Sequence, residues 1–402
     1  MLDCLGVYLH IPFCQTKCHY CDFVSGPFLE TWINPYVDAL KKEIQQTDQV
    51  LRRVQIRPAL ISPLVVDSIY FGGGTPSTLE ARRIYEIMRV VRGAFTVSTE
   101  VEVTLEVNPG SVDSEKIRQY KEAGVNRVSI GIQAFQDHLL EKMGRSHSVE
   151  DGLATFDLLR QAGFSNINVD IIAGLPGQSL SDWQETLNMS RRLAPEHISM
   201  YLLELHPNTV FGKIYSQSDN ASGPVARSYA VAELPAEELV VQFYSEAVRQ
   251  FMATGYLQYE ISNFARSGCE SRHNLKYWTD QPFLGFGCSA FSYLAGKRWG
   301  SERNPRRYIE RINHDGEAVD CVYQLSDQEI QEEAIFLGLR LMGGLNLIDF
   351  KTRFGFDFYE RFSTPIAHLR EGGLLECNSE RVRLTPSGCL LSNEVFAEFL
   401  SR

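Results

Sequence analysis

Short apolar runs rich in Val, Ile and aromatic residues recur through the first 205 positions, and between them apolar residues fall at helical spacing. The runs are LGVYL (5–9), VDSIYF (66–71), VEVTLEV (101–107), RVSIGI (127–132), INVDII (167–172) and HISMYLL (197–203). Continuous rather than alternating apolarity is what a strand covered on both faces requires. The intervening stretches INPYVDALKKEI (33–44), SVDSEKIRQYKEAG (111–124) and SVEDGLATFDLLRQAGF (148–164) read as amphipathic helices, several opening on Ser or Asn and closing on Gly. Strand and helix alternating in this way predict an α/β fold whose parallel sheet is joined by right-handed crossovers. Six such units are too few to close an eight-stranded barrel, so the expectation is an open, partial (β/α)6 barrel with a lateral mouth suited to a bulky substrate.

After residue 205 the rhythm changes. NTVFGKIYSQSDNASGPVARS (208–228) reads as a loop crossing or covering the barrel, and a helix is expected over about 234–254. LSDQEIQEEAIFLGLRLMGG (325–344) is a Ser-capped helix ending on paired glycines, and LLECNSERVRLTPSG (374–388) reads as a hairpin between further helices. These patterns divide the chain into a barrel (1–235), a covering segment (236–321) and a small winged-helix-like α+β domain (322–402).

The 402 residues are 44% hydrophobic and carry a net charge of −11, with no basic run dense enough to follow a phosphate backbone. Nucleic-acid binding is therefore excluded as a reading, including for the C-terminal wing. No stretch approaches the roughly 20 apolar residues that span a bilayer, and MLDCLGVYLHIPFC has neither a basic start nor a small-residue cleavage site. The expectation is a soluble, cytoplasmic chain, with docking onto a membrane partner left open. Nine cysteines, three clustered and the rest scattered, argue against a disulfide framework and for a reducing compartment.

The clustered three lie in CQTKCHYCDF (14–23), directly after the first predicted strand, spaced Cys-x3-Cys-x2-Cys. Thiolates suit zinc or an iron–sulfur cluster. A tetrahedral zinc site would need a fourth nearby ligand. His19 is too close in sequence to Cys18 to serve without strain, and Cys4 precedes the strand. A [4Fe–4S] cluster on Cys14, Cys18 and Cys21 leaves one iron open to chelate an amine and a carboxylate. Further polar residues fall near predicted strand ends, the catalytic face of such barrels: FGGGTPS (71–77), Glu106, Gln133 and Asp170. Asp170 sits inside an apolar run and needs a partner there, whether a ligand or a plain hydrogen-bond anchor.

The cysteine loop together with FGGGTPS resembles the radical S-adenosylmethionine (SAM) superfamily. DIIAGLPGQ, YEISNFA and LTPSG extend the likeness over nearly the whole chain, toward the family of oxygen-independent coproporphyrinogen III oxidases. That resemblance implies SAM chelated by the open iron. It implies SAM contacts at Gly73, Gly74, Thr75, Glu106, Gln133 and Asp170, and carries over Tyr8, Tyr20 and Arg145. Within the family two departures matter. The oxidases carry a further cysteine two residues after the third ligand, where this chain has Phe23, and their N-terminal extension is missing from the sequence. In addition, His273, Asn274, Tyr277 and Trp278 form a His-Asn-x2-Tyr-Trp motif resembling the heme-chaperone branch of the family. Histidine can ligate heme iron and aromatic rings can face a macrocycle, although an aromatic core cluster would carry the same residues.

The resemblance thus implies a heme chaperone binding a [4Fe–4S] cluster, SAM and heme. It would hand heme to acceptor proteins, respiratory ones among them, and take electrons from a donor if SAM is cleaved. A coproporphyrinogen oxidase and a zinc-stabilised interaction module are the alternatives. Cys269 and Cys288, beside the motif, read as buried small hydrophobes. His10 reads either as a support for the cysteine loop or as a core histidine.

Overall fold

The structure, a computed structural model, describes residues 4–61, 63–215 and 233–400. All six predicted strands are present in parallel: β1 (Cys4–Ile11), β2 (Val65–Gly73), β3 (Val97–Val107), β4 (Arg127–Gln133), β5 (Ile167–Ala173) and β6 (His197–Leu202). Every residue of β4 is buried, including Arg127, which follows from helices covering one face and the barrel interior lying on the other. The helices Ser114–Glu122 and Val149–Gln161 lie within the stretches predicted for them, and Ile33–Gln45 overruns its own by one residue. Ser148 caps the last of these reciprocally with Asp151, as Ser179 and Asp182 do for Leu180–Leu193.

The sheet runs further than the periodicity suggests. β7 (Leu257–Glu260) and β8 (Asn263–Ala265) form an antiparallel ribbon beside β6, while β9 (Phe283–Phe286) adds a parallel strand beside β1. β10 (Phe291–Leu294), β11 (Lys297–Ser301) and β12 (Val319–Gln324) continue antiparallel from β9. The order is β12-β11-β10-β9-β1-β2-β3-β4-β5-β6-β8-β7, an open sheet of twelve strands among the described residues. Residues read as a covering segment therefore build both edges of the sheet. Within the expected covering loop, Val210–Tyr215 is a short helix, and the remainder from 216 lies outside the described residues.

The helix Glu237–Ala253 matches the expected one. The C-terminal domain begins with the Ser326-capped helix Asp327–Arg340. The predicted hairpin is β14 (Leu375–Cys377) with β15 (Arg381–Leu384), and the two-residue β13 (Leu345–Asn346) completes a small sheet among short helices. No helix among the described residues is long and apolar enough to cross a membrane.

Candidate functional site

The cysteine loop leaves β1 at its C-terminal end and is tied down before it reaches the ligands. Cys14 N donates to Gly26 O (2.9 Å) and Gly26 N to Pro12 O (3.0 Å), closing the loop on itself. From the end of β2, Gly74 N bonds Ile11 O and Thr75 N bonds Phe13 O, both at 2.8 Å. These approaches require glycine. A Cβ on Gly74 would lie 2.8 Å from Ile11 O, and one on Gly73, held at φ +109°, would lie 2.4 Å from the His10 ring. His10 itself accepts or donates between the Tyr8 hydroxyl (3.1 Å) and Val24 O (2.8 Å), which makes it a strut between β1 and the loop. His19 is spent on the backbone: Nδ1 bonds Lys142 O (2.8 Å), and its main chain bonds Met143 and Phe211.

The three thiols face one cavity of about 400 Å³ at the mouth of the barrel. Gly73, Gly74, Thr75, Glu106, Gln133, Arg145, Asp170 and Tyr20 line it with them. The Thr75 hydroxyl points at Cys14 Sγ (3.5 Å), and Arg145 reaches Cys18 Sγ (3.5 Å) and the Tyr20 hydroxyl (3.4 Å). Arg145 is no surface charge, since its other nitrogen bonds Gly131 O (2.6 Å) and Asn108 Oδ1 (3.0 Å). Asn108 in turn donates to Thr75 (2.9 Å). Gln133 ends β4 at φ +70°, strained for a side-chain-bearing residue, where the β4–β5 register breaks.

Two carboxylates sit deep in the cavity. Glu106 accepts from Tyr70 (2.9 Å) and Gly73 N (3.2 Å), while Asp170 accepts from Asn168 (2.7 Å) and Ser129 (3.1 Å). Burial, then the neighbouring Asp170 charge, pushes Glu106 up to about 7, and burial also raises Asp170. A positively charged ligand would relieve that cost.

The donor chemistry also bears on the metal. No three His, Cys, Asp or Glu side chains among the described residues are grouped tightly enough to hold one ion, yet the three thiols share a cavity. Three thiols facing one cavity suit a polynuclear cluster, which takes each at a different corner.

The structure places the other predicted residues elsewhere. Tyr8 does not line the cavity; it stacks on Tyr70 and His273 inside the barrel (centroids 6.2 and 6.3 Å). The His-Asn-x2-Tyr-Trp motif forms the helix Arg272–Trp278, which plugs the opposite, N-terminal end of the barrel. There Lys276 pairs with Asp67 (2.7 Å), and the amides of Arg272 and His273 bond Glu102. His273 is 1% exposed, with Nδ1 on Ser68 (3.0 Å) and Nε2 on Tyr277 (2.9 Å). Burial, helped by Lys276 and Arg127, lowers it to about 3, so it is neutral. Asn274 lies on the first turn, its amide capped by Ser271, and Trp278 packs under the Arg340 guanidinium (4.3 Å). Cys288 is buried and Cys269 half-buried.

Sequence reasoning missed Tyr70, Asn108, Ser129, Tyr201 and His206. All but Tyr70 line the cavity, and Tyr70 holds Glu106 from behind. Asn108 was findable, because it follows β3 directly ahead of a Pro-Gly turn.

A partial parallel barrel with three loop thiols and a glycine-lined ligand pocket at its C-terminal face defines a radical SAM protein, and the profile of the radical SAM superfamily matches residues 8–190. That of the HemN C-terminal domain matches residues 325–391. The chain is 35% identical to the heme chaperone HemW of Bacillus subtilis (strain 168) over 396 residues, 98% of this chain and 99% of that one. It is 30% identical to the heme chaperone HemW of Escherichia coli (strain K12), covering 99% and 98% of the two. The chain belongs to the HemW family. In fold it is similar to the coproporphyrinogen III oxidase HemN of Escherichia coli, with TM-score 0.80, 22% identity, and 98% and 89% of the two chains covered.

Proposed function

We propose that this protein is a heme chaperone, binding a [4Fe–4S] cluster, SAM and heme and delivering heme to acceptor hemoproteins. The observation that carries the reading against an oxidase is Phe23. It lies on the cavity wall where the resemblance to the oxidases calls for a further cysteine, and it is 62% exposed. Full-length similarity to proteins named heme chaperones supports the same reading.

Cys14, Cys18 and Cys21 hold the cluster, with Thr75 and Arg145 placed to bond the thiolate sulfurs and stabilise their charge. When bound, the cluster supplies an open iron for the methionine part of SAM and an electron for its cleavage. Gly73, Gly74 and Thr75 border the place for the methionine end. Glu106 and Asp170 offer acceptors to a ligand that carries ammonium, sulfonium and ribose hydroxyl groups. The strained Gln133 and the Arg145–Asn108 pair set the opposite wall. Respiratory hemoproteins at a membrane are the acceptors this reading favours, and an electron donor is needed only if SAM turns over.

The oxidase reading rests on the shared fold. One anaerobic preparation decides between them: after cluster reconstitution, heme is titrated by absorbance while coproporphyrinogen III, SAM and reductant are assayed in parallel. Saturable heme binding without protoporphyrinogen formation is expected. Turnover without saturable heme binding would return the protein to the oxidases.

A further inference from the structure

We infer that heme docks across the mouth of the cluster cavity, with His206 as the axial ligand of its iron and Phe23 against the porphyrin face. The inference rests on the chaperone reading and assigns its cargo a site. A heme needs one imidazole nitrogen that can turn to iron, flat apolar surface beside it, and water for its propionates. Of the chain's nine histidines, only His206 lines the cavity.

The other buried histidines are committed. Both ring nitrogens of His273, His197, His10 and His147 are bonded within the fold. His273 in particular would have to break its bond to Ser68 or Tyr277, at the end of the barrel remote from the cluster, before it could ligate anything.

His206 stands in the loop after β6 with its side chain 40% exposed, between two carboxylates: Nδ1 is 3.6 Å from Asp22 and Nε2 is 3.4 Å from Glu204. Asp22 belongs to the cysteine loop, one residue past Cys21. A carboxylate beside one imidazole nitrogen is placed to fix the ring orientation of a metal-ligating histidine. Glu204 is largely solvent-exposed and can turn into water, leaving Nε2 to iron. Phe23, Tyr201 and Leu203 line the same cavity, and Phe23 and Tyr201 expose large ring area that none of the described residues covers. An aromatic left in water at a cavity edge is surface that a planar apolar ligand buries favourably.

The arrangement has a chemical consequence. Heme held there lies over the SAM-binding residues and next to the cluster loop, so cargo and cofactor share one entrance. This gives Phe23 a function: a thiol at that position would offer a competing soft ligand, whereas a phenyl ring offers only a surface.

The test uses the full chain with its cluster reconstituted anaerobically, titrated with ferric heme and, separately, with iron-free protoporphyrin IX. Wild-type protein is the reference. If it takes up no heme, the chaperone reading itself fails; the remaining outcomes judge the site. His206→Ala is expected to shift the Soret band and weaken heme binding at least tenfold, leaving cluster absorbance, SAM binding and protoporphyrin affinity unchanged. Free imidazole added to His206→Gly should restore the wild-type Soret position. Phe23→Ser should weaken heme and protoporphyrin together. A His206→Ala protein with wild-type Soret position and heme affinity overturns the assignment, as does a wild-type spectrum lost in His273→Ala while the cluster remains intact.

Discussion

Glu106 shows how a single group ties ligand binding to pH. Its folded value of about 7 lies above the 4.5 of an unfolded glutamate. The folded, SAM-free chain therefore holds the extra proton between those values, so the stability this group contributes is fully present below about 4.5 and is lost as pH rises through about 7. SAM binding has the opposite slope, because a cationic ligand favours the carboxylate. Isothermal titration at pH 6 and pH 8 should show wild-type SAM affinity rising with pH, and Glu106→Gln should flatten that slope and weaken binding about tenfold at pH 8, roughly 1.4 kcal/mol. Equal slopes for the two proteins would remove Glu106 from the site. His273 acts differently, since its ring bridges Ser68 and Tyr277 in a dry interior. His273→Ala leaves both hydroxyls without that partner and opens a cavity, which should cost about 3 kcal/mol in urea unfolding. A change below about 0.5 kcal/mol would show that the plug is not part of the core.

The element that makes the site is the turn at the end of β2 pressed against the cysteine loop. Gly74→Ala would push a methyl against Ile11 O and Phe13 O, both backbone atoms that cannot swing aside. It should lower cluster occupancy after reconstitution several-fold, read as iron per chain. Gly26, in the same loop, has no atom within 4 Å of a built Cβ, and Gly26→Ala should load as wild type. Parallel losses in both would mean that the loop tolerates no change at all rather than none at the contact. Such contacts are invisible in the sequence, although the loop and the six parallel strands are not: buried parallel strands write long apolar runs, and thiols at fixed spacing announce their chemistry. The strands that were missed have a physical reason. NFA, FLGF and FSYL span three or four residues, shorter than any periodicity can declare, and FLGF is broken by Gly285. The motif 273–278 was legible as aromatic and polar, but spacing cannot say at which end of a barrel a helix will sit, and it closes the end away from the cysteines.

Across the whole molecule, the C-terminal domain is held to the barrel by charge buried at a seam. Arg340, at the end of the helix Asp327–Arg340, lies 2.8 Å from Glu260, which is 0% exposed at the end of β7, and stacks its guanidinium over Trp278 of the plug. Met342 N donates to Tyr259 O (3.1 Å) beside it, and Arg298 grips Glu333 with two bonds nearby (2.7 and 3.0 Å). One arginine thus touches the sheet edge and the helix that supports Tyr70 and Glu106 through His273, so the domain braces the barrel from its closed end. Removing one member of a buried pair costs more than removing both, since the survivor keeps its desolvation penalty without its partner. Arg340→Ala should therefore destabilise the chain by about 3–5 kcal/mol, and Arg340→Met combined with Glu260→Gln should recover much of that loss. If the domain acts only as a separate module, the two unfolding curves will be superimposable with wild type. If it braces the barrel, Arg340→Ala will lower the transition reported by the cluster absorbance together with that of the C-terminal helices. Loss of the brace then reaches the mouth through the plug without any change in the residues that line it.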